Sequence, residues 1–579
     1  MAYRYNDSDS NEKHSPSEEA QKPPYSSEYD HGVQIIRGRN GSLADPTDVG
    51  HSLHRGLSAR QITMIAIGGA IGTGLIIGTG QALARSGPAS ILISYSLVGV
   101  LCYAVMTALG EMATWMPAAG GFAAYATRFV DPALGFSLGY TYWFKYIIIT
   151  PNQLTAAALV IQYWAPPEQI NPGVFIAIFL VVIIAINYLG IRFFGEIEFW
   201  LSSVKVLTIL GLIILCIILA AGGGPNSDGA TGFQYYHDPG AFAPYIGSGS
   251  LGRFTGFWSS FTNAVFAYLG TELIGVTVAE AQNPRRNIPR AIKLTFWRIL
   301  VFYIFLVFLL GLIVPYDSNL LAFATEASTS AAASPFVVAI RIAGIKVLPG
   351  FFNACVLIFV FSASNSDLYI ATRTLHGLAV KGQAPRIFAK TDNRGVPYYS
   401  LGLCALIACI AFLNVANDSA DIFSYFVNLV SIFGLLTWIS ILVSHIYFIR
   451  AREAQGVRKE DLRYVSPFGY WGSVVALAFC ILVALTKNFA VFTYSEDYGN
   501  FDYKNFITGY LGIPLYLIMI FGYKLVLKTK GLKPHEADLF GGKAVIDADE
   551  QEWLVKEAQE EASGKGAGKL YRHTLGYLF

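Results

Sequence analysis

The sequence predicts an all-α membrane protein of twelve transmembrane helices. The first ten form two inverted five-helix repeats with helices 1 and 6 broken, and two C-terminal helices follow. Three observations predict this. Hydrophobic residues make up 54% of the chain and charged residues 14%, with a positive mean hydropathy, which is too apolar for a soluble protein of 579 residues. A spanning helix needs roughly 20 apolar residues, and runs of that size begin near residues 61, 88, 132, 171, 199, 255, 293, 349, 398, 424, 468 and 506. Finally, two runs five spans apart are interrupted by glycine: Ile65 to Gly80 (IAIGGAIGTGLIIGTG) and Phe261 to Glu280 (FTNAVFAYLGTELIGVTVAE).

Residues 1–57 are rich in Ser, Asn, Asp, Glu and Pro and bury too little apolar surface to offset ordering entropy, so they read as a disordered tail. No apolar segment precedes Ser58, so the reading includes no cleavable signal peptide, and the first span directs insertion. Residues 58–527 form the twelve-span core and 528–579 a second polar tail, in which Asp547 to Ala562 suits an acidic helix carrying Trp553 and Leu554. That helix either docks on the core or stays solvated.

Span 1 carries glycines at 68, 69, 72, 74, 78 and 80, several of which close helix packing alone would explain. Backbone polar groups in lipid must be satisfied internally, so a run that invites unwinding survives where it lines a protein cavity. Glycine-broken spans at matching positions of two halves mark a substrate site, and so point to a transporter. A break at Gly72-Thr73-Gly74 would expose the N–H groups of Thr73, Gly74 and Leu75 at a half-helix N-terminus, which suits a carboxylate.

In span 3, Lys145 facing a cavity would attract a second carboxylate on the substrate, whereas the surrounding Tyr140, Tyr142 and Tyr146 also suit an interfacial belt. About two turns on, Asn152 and Gln153 follow Pro151 and offer uncharged groups to a substrate side chain. In span 5, Lys205 requires a cavity or a partner, or else snorkels to the interface. Set against unwound carbonyls of span 1, its ammonium would replace a sodium ion and exchange a proton.

In span 6, carbonyls freed around Ala264 to Tyr268 would end a half-helix and suit an ammonium group. The two breaks together complement a zwitterion. Phe266 and Tyr268 are placed to close over it, or are plain core. Glu272 near mid-bilayer costs roughly 3 kcal/mol to insert, which marks it as a proton site or hydrogen-bond donor unless it is a permanently neutral structural group. In span 8, Ser362, Ser364, Asn365, Ser366 and Asp367 end an apolar run, and some of them should face the pore. Glu111, Glu196 and Glu198 read as inner-gate partners for cations such as Arg373, or as interfacial charges.

Lys and Arg concentrate in the loops after spans 6, 8 and 10, which with both tails are expected on the cytosolic side. The net charge of +2 conceals this asymmetry and argues neither for nor against nucleic acid, and no nucleic-acid partner is assigned. The six cysteines lie in apolar runs without metal-ligand spacing, so no metal and no cofactor other than the coupling proton is expected. Of the sequons at Asn6, Asn40 and Asn417, only Asn417 falls on an expected outer loop. Lys13, Lys22 and Lys556 in the tails permit modification and hence recognition by ubiquitin and trafficking machinery.

The segments IAIGGAIGTGLIIGTG, ALGEMATWMPAAGGF, SSVKVLTI, FAYLGTELIGVTVAEAQNPRR and GVPYYSL, with the span 8 segment, resemble the fungal amino acid permease family of the amino acid/polyamine/organocation superfamily. The likeness runs from Leu57 to about Leu539. FKYIIITPNQLTAAALVIQYW, GEIEFWLSSVKV and YKNFITGYLGIPLYLI look most like its dicarboxylic amino acid permeases. The resemblance implies a multi-pass plasma-membrane protein that imports L-glutamate and L-aspartate with protons by alternating access. It maps the substrate-backbone site onto Ile71, Gly72, Thr73 and Gly74 and onto Phe266, Ala267, Gly270 and Glu272, and likens Lys205 to the lysine that replaces sodium. Many members carry Glu where Gln153 stands and an uncharged residue where Lys145 stands, a departure whose direction suits acidic substrates.

The expected substrate-binding set is therefore Ile71, Gly72, Thr73, Gly74, Lys145, Asn152, Gln153, Phe266, Ala267, Tyr268, Gly270 and Ser366, with proton coupling at Glu272 and Lys205. A general or neutral amino acid permease, or a sensor that binds amino acids without transport, shares these residues. A membrane enzyme would need a catalytic cluster, whereas most of the nine histidines lie in tails or loops, with His376 and His445 isolated near span ends.

Overall fold

The computed structural model describes residues 71–559 except 118–120, 167, 227–228, 274–283, 322–333, 416–418, 494–500, 544–545, 549, 552–553 and 556–558. The N-terminal tail with Lys13 and Lys22, residues 58–70 of span 1, Asn417, Trp553 and Lys556 lie outside the described residues. What is described is all-helical, with no extended strand.

The helices are α1 (Thr73–Ile76), α2 (Gly78–Ser86), α3 (Pro88–Trp115), α4 (Gly121–Phe129), α5 (Pro132–Ile161), α6 (Pro172–Tyr188), α7 (Ile191–Ala220) and α8 (Gly249–Tyr268). Next, α9 (Pro284–Arg298) continues through a π-turn at Ile299–Phe305 into α10 (Leu306–Ile313). Then come α11 (Pro335–Ile342), α12 (Leu348–Val380), α13 (Tyr398–Ala408), α14 (Ser419–Ala454), α15 (Gly469–Thr486), α16 (Tyr503–Tyr510) and α17 (Gly512–Leu527).

Local chemistry sets several starts. Pro88, Pro132 and Pro172 occupy first-turn positions, where a missing N–H costs nothing. The Asp131 and Asn171 side chains cap their helices by accepting from Ala133 N at 2.7 Å and Gly173 N at 2.8 Å. Seven described helices are long and apolar enough to cross a membrane, eight if the pair α16 and α17, bent by 42°, counts as one. The helices α6 and α13 are apolar but shorter.

The central helix is α5, which packs against α12 and α14 and is 89% buried along its most apolar stretch, whereas α7 at 33% and α15 at 28% present wide apolar faces outward. That difference is expected when lipid is the outer solvent. The acidic segment after α17 docks. Leu532 N donates to Val130 O at 2.9 Å, the Trp115 indole N–H donates to Leu539 O at 2.9 Å, and Arg285 pairs with Asp547 at 2.6 Å and Glu550 at 2.7 Å.

Candidate functional site

The two glycine-containing segments, at the start of α1 and the end of α8, meet backbone to backbone. Gly72 is extended (φ −125°, ψ −164°) and α1 starts at Thr73 with no side-chain cap, leaving its first N–H groups without intrahelical partners. On the facing segment α8 ends at Tyr268, Leu269 is extended, and Gly270 takes φ +94°, a conformation that favours glycine. A Cβ on Gly74 would stand 2.5 Å from Ala267 Cα, so only glycine allows this approach. Residues 58–70 before Ile71 and 274–283 after Leu273 lie outside the described residues.

Beside this contact a small cavity opens between α1, α5, the end of α8 and α12. Its walls include Gly72, Thr73 and Gly74; Lys145, Tyr146, Ile149 and Gln153; Phe266, Ala267, Leu269, Gly270 and Leu273; and Ala363, Ser366, Asp367 and Ile370. Nine of the expected binding residues therefore share one cavity.

Its charged groups are arranged in pairs and chains. Lys145 of α5 and Glu272, just past the α8 break, form an ion pair with both side chains fully buried. The Lys145 ammonium also lies 5.1 Å from the Tyr142 ring centroid and 4.6 Å from that of Tyr146, within cation–π range. Glu272 accepts from Gly270 N at 3.2 Å and from the Trp438 indole N–H at 3.4 Å. Every one of these partners is a donor, which suits an ionised carboxylate. Thr73 Oγ1 donates to Gln153 Oε1 at 2.7 Å, and Gln153 Nε2 donates to Asp367 Oδ2 at 3.1 Å. Ser366 Oγ has no hydrogen-bond partner in the described structure.

Several expectations change. Lys145 is not a solitary cation awaiting a carboxylate, and Glu272 is not a lone neutral acid, because each neutralises the other. Tyr268 does not face the cavity: its hydroxyl donates to Tyr95 O at 2.9 Å and its ring stacks on Tyr303 at 4.6 Å. Asn152 is buried with both amide atoms unpartnered, and neither it nor the buried Ile71 lines the cavity. Asn152 and Gln153 follow one another on one helix, about 100° apart, and only Gln153 lines the cavity.

Lys205 is fully buried away from the cavity wall, 3.8 Å from Glu198 Oε1, which also accepts from Ser362 Oγ at 2.6 Å. Seven positions along α7 bring Glu198 and Lys205 onto one face. Glu198 is thus a buried partner rather than an interfacial charge. Glu111 is likewise buried and joins not Arg373 but His445 Nε2, at 3.2 Å, while accepting from Ser466 N at 2.8 Å.

Sequence reasoning did not single out Asp367 as a site residue, nor Trp438. The signal for Asp367 was present: Ala363, Ser366, Asp367 and Ile370 fall at helical i, i+3, i+4, i+7 spacing and form one face of α12. Trp438 lies in α14, where no local pattern ties it to Glu272.

The family model described as amino acid permease matches residues 61–536. A dicarboxylic amino acid permease of Saccharomyces cerevisiae is 53% identical over 544 residues, covering 93% of this chain and 88% of its own length. A proline-specific permease of Emericella nidulans is 38% identical, covering 89% of this chain and 93% of its own. A general amino-acid permease of Saccharomyces cerevisiae is 38% identical, covering 89% of this chain and 84% of its own.

Proposed function

The chain belongs to the amino acid permease family, and from that premise we propose that it imports acidic L-amino acids, L-glutamate and L-aspartate, together with protons. The observation that carries this reading is the buried Lys145–Glu272 pair, whose lysine lines the cavity beside the two glycine-containing segments. A bare lysine ammonium there would be expensive to hold. Paired, it is a cation that a second carboxylate can claim.

In the proposed cycle the substrate α-carboxylate takes the N–H groups that open α1 at Thr73 and Gly74, and the ammonium faces the carbonyl end of α8. Glu272 takes a proton from the outer side, which releases Lys145 to the substrate's side-chain carboxylate. The substrate thereby loads with a proton, and rocking of the two repeats exposes both to the other side. Lys205, held against Glu198, is proposed to brace α7 and to exchange a proton during the return. The core is proposed to have twelve spans in the plasma membrane with both termini cytosolic, in line with the cluster of Arg and Lys after spans 6, 8 and 10.

The same pair also favours a second reading. With Lys145 neutralised, the cavity wall offers no unpaired cation among the described residues, which suits a general amino acid permease. Uptake of labelled L-aspartate, L-glutamate and L-leucine by permease-deficient cells expressing the chain, at about pH 5 and about pH 7, separates the two. Acid-stimulated uptake confined to the two dicarboxylates is expected. Comparable leucine uptake identifies a general permease, and no uptake with the protein at the surface identifies a sensor.

A further inference from the structure

Beyond the Lys145–Glu272 pair, one further acidic group in the cavity wall has no ion-pair partner among the described residues. Asp367 lines the cavity on α12, its side chain buried, with Oδ2 taken by the Gln153 amide and no ion-pair partner among the described residues. The charged groups that act on it are Lys145 of α5, already paired, and Lys205 and Glu198 of α7, paired with each other. A buried carboxylate is tolerated when a cation meets it. The cavity therefore calls for a positive group on its ligand.

The position of Asp367 narrows which group that is. Thr73 Oγ1 holds Gln153, and Gln153 holds Asp367, so this chain of hydrogen bonds ties the α12 carboxylate to the opening turn of α1, and Gln153 stands eight residues, about 12 Å of helix rise, beyond Lys145 on α5. An L-aspartate or L-glutamate whose side chain reaches Lys145 carries its one cation, the α-ammonium, at its other end.

We propose that Asp367 is the counter-ion for the α-ammonium of the substrate, oriented by Gln153 and Thr73, and that it makes the cavity select amino acids over plain dicarboxylates. This rests on the dicarboxylate reading above. With Glu272 protonated, every substrate charge then meets an opposite one: the side-chain carboxylate meets Lys145, the ammonium meets Asp367, and the α-carboxylate meets backbone N–H groups. A ligand that keeps both carboxylates and lacks the ammonium strands Asp367, and such desolvated mismatches are heavily penalised.

The test compares succinate with unlabelled L-aspartate as inhibitors of labelled L-aspartate uptake. For the unmodified chain succinate is expected to be weaker by about 100-fold or more. In Asp367→Asn, L-aspartate affinity falls and the discrimination shrinks to about tenfold or less, the remainder being the α8 carbonyl contacts. Succinate competing as well as L-aspartate in the unmodified chain overturns the assignment without any variant. Full discrimination in an Asp367→Asn protein that reaches the surface overturns it too. The charge carried per L-aspartate is the second readout: one proton per substrate gives no net charge, whereas one positive charge per substrate that vanishes in Asp367→Asn makes Asp367 a proton carrier and overturns the ammonium assignment. Absence of dicarboxylate uptake altogether sinks the function proposed above, and this inference with it.

Discussion

Replacing Lys145 by Ala removes the cation that the proposed substrate claims. Both Lys145 and Glu272 are fully buried, so solvent does not screen the pair as it would at a surface, where such pairs contribute about 0–1 kcal/mol. Truncating one partner of a buried charge pair costs about 2–5 kcal/mol, which corresponds to a rise in the KM for L-aspartate of roughly 30- to 5,000-fold. L-asparagine has the same shape with an uncharged side chain, and its uptake should change by no more than a few-fold. The readout is therefore the L-aspartate to L-asparagine ratio, measured as labelled uptake and normalised to surface protein. In Lys145→Ala the stranded Glu272 keeps the Gly270 and Trp438 donors and can take a proton, so the fold should survive. If abundance nevertheless falls, the double variant Lys145→Ala/Glu272→Gln should restore it, because no buried charge is then left unpaired. An unchanged ratio, or an equal loss for both substrates, would refute the role given to Lys145.

Three further perturbations follow from the same geometry. Gly74→Ala places a methyl 2.5 Å from Ala267 Cα, backbone against backbone, so uptake or surface abundance should collapse, and normal uptake at normal abundance would mean that the broken segments are not packed this closely. Glu198→Gln removes the counter-charge of Lys205 and the strong acceptor of Ser362, so acid stimulation of uptake should weaken more than L-aspartate binding does; the comparison of pH profiles with binding affinity checks it. Burial raises the Asp547 carboxyl, but hydrogen bonds from Lys543 and Arg285 outweigh that and hold it below the usual carboxylate range. Its contribution to tail docking is complete above the ordinary value near about 4 and is lost as pH falls through the lowered one. A dye attached at residue 555 of the purified protein should report release at that acid limb only, and Arg285→Ala should move release toward neutral pH; a signal that does not change with pH or substitution contradicts the docking.

Much of the fold was legible because the signals were local. Apolar runs marked the starts of α3, α5 and α6, and the glycines fell where α1 begins, at Gly72 to Gly74, and just past the end of α8, at Gly270. The site was legible in its backbone and less so in its side chains. Lys145 and Glu272 each stood out as costly charges, but their pairing joins residues 127 positions apart, and no periodicity encodes it. The apolar run of span 5 begins near residue 199, past Glu196 and Glu198, whereas α7 begins at Ile191 and buries Glu198 against Ser362. Tyr268 sits on the right segment, yet the turn of α8 carries its ring toward Tyr95 and Tyr303. The direction of a side chain at a helix end depends on the last turn's geometry, which sequence spacing alone does not fix.

The central claim is that a proton on Glu272 releases Lys145 to the substrate. Its most direct test is Glu272→Gln, assayed both for uphill accumulation of L-aspartate across a pH gradient and for exchange of labelled against unlabelled L-aspartate at equal pH. Accumulation and its pH dependence should disappear while exchange persists, because the amide mimics the protonated acid permanently. Accumulation with an unaltered pH profile would take Glu272 out of the proton path and contradict the exchange of partners at Lys145.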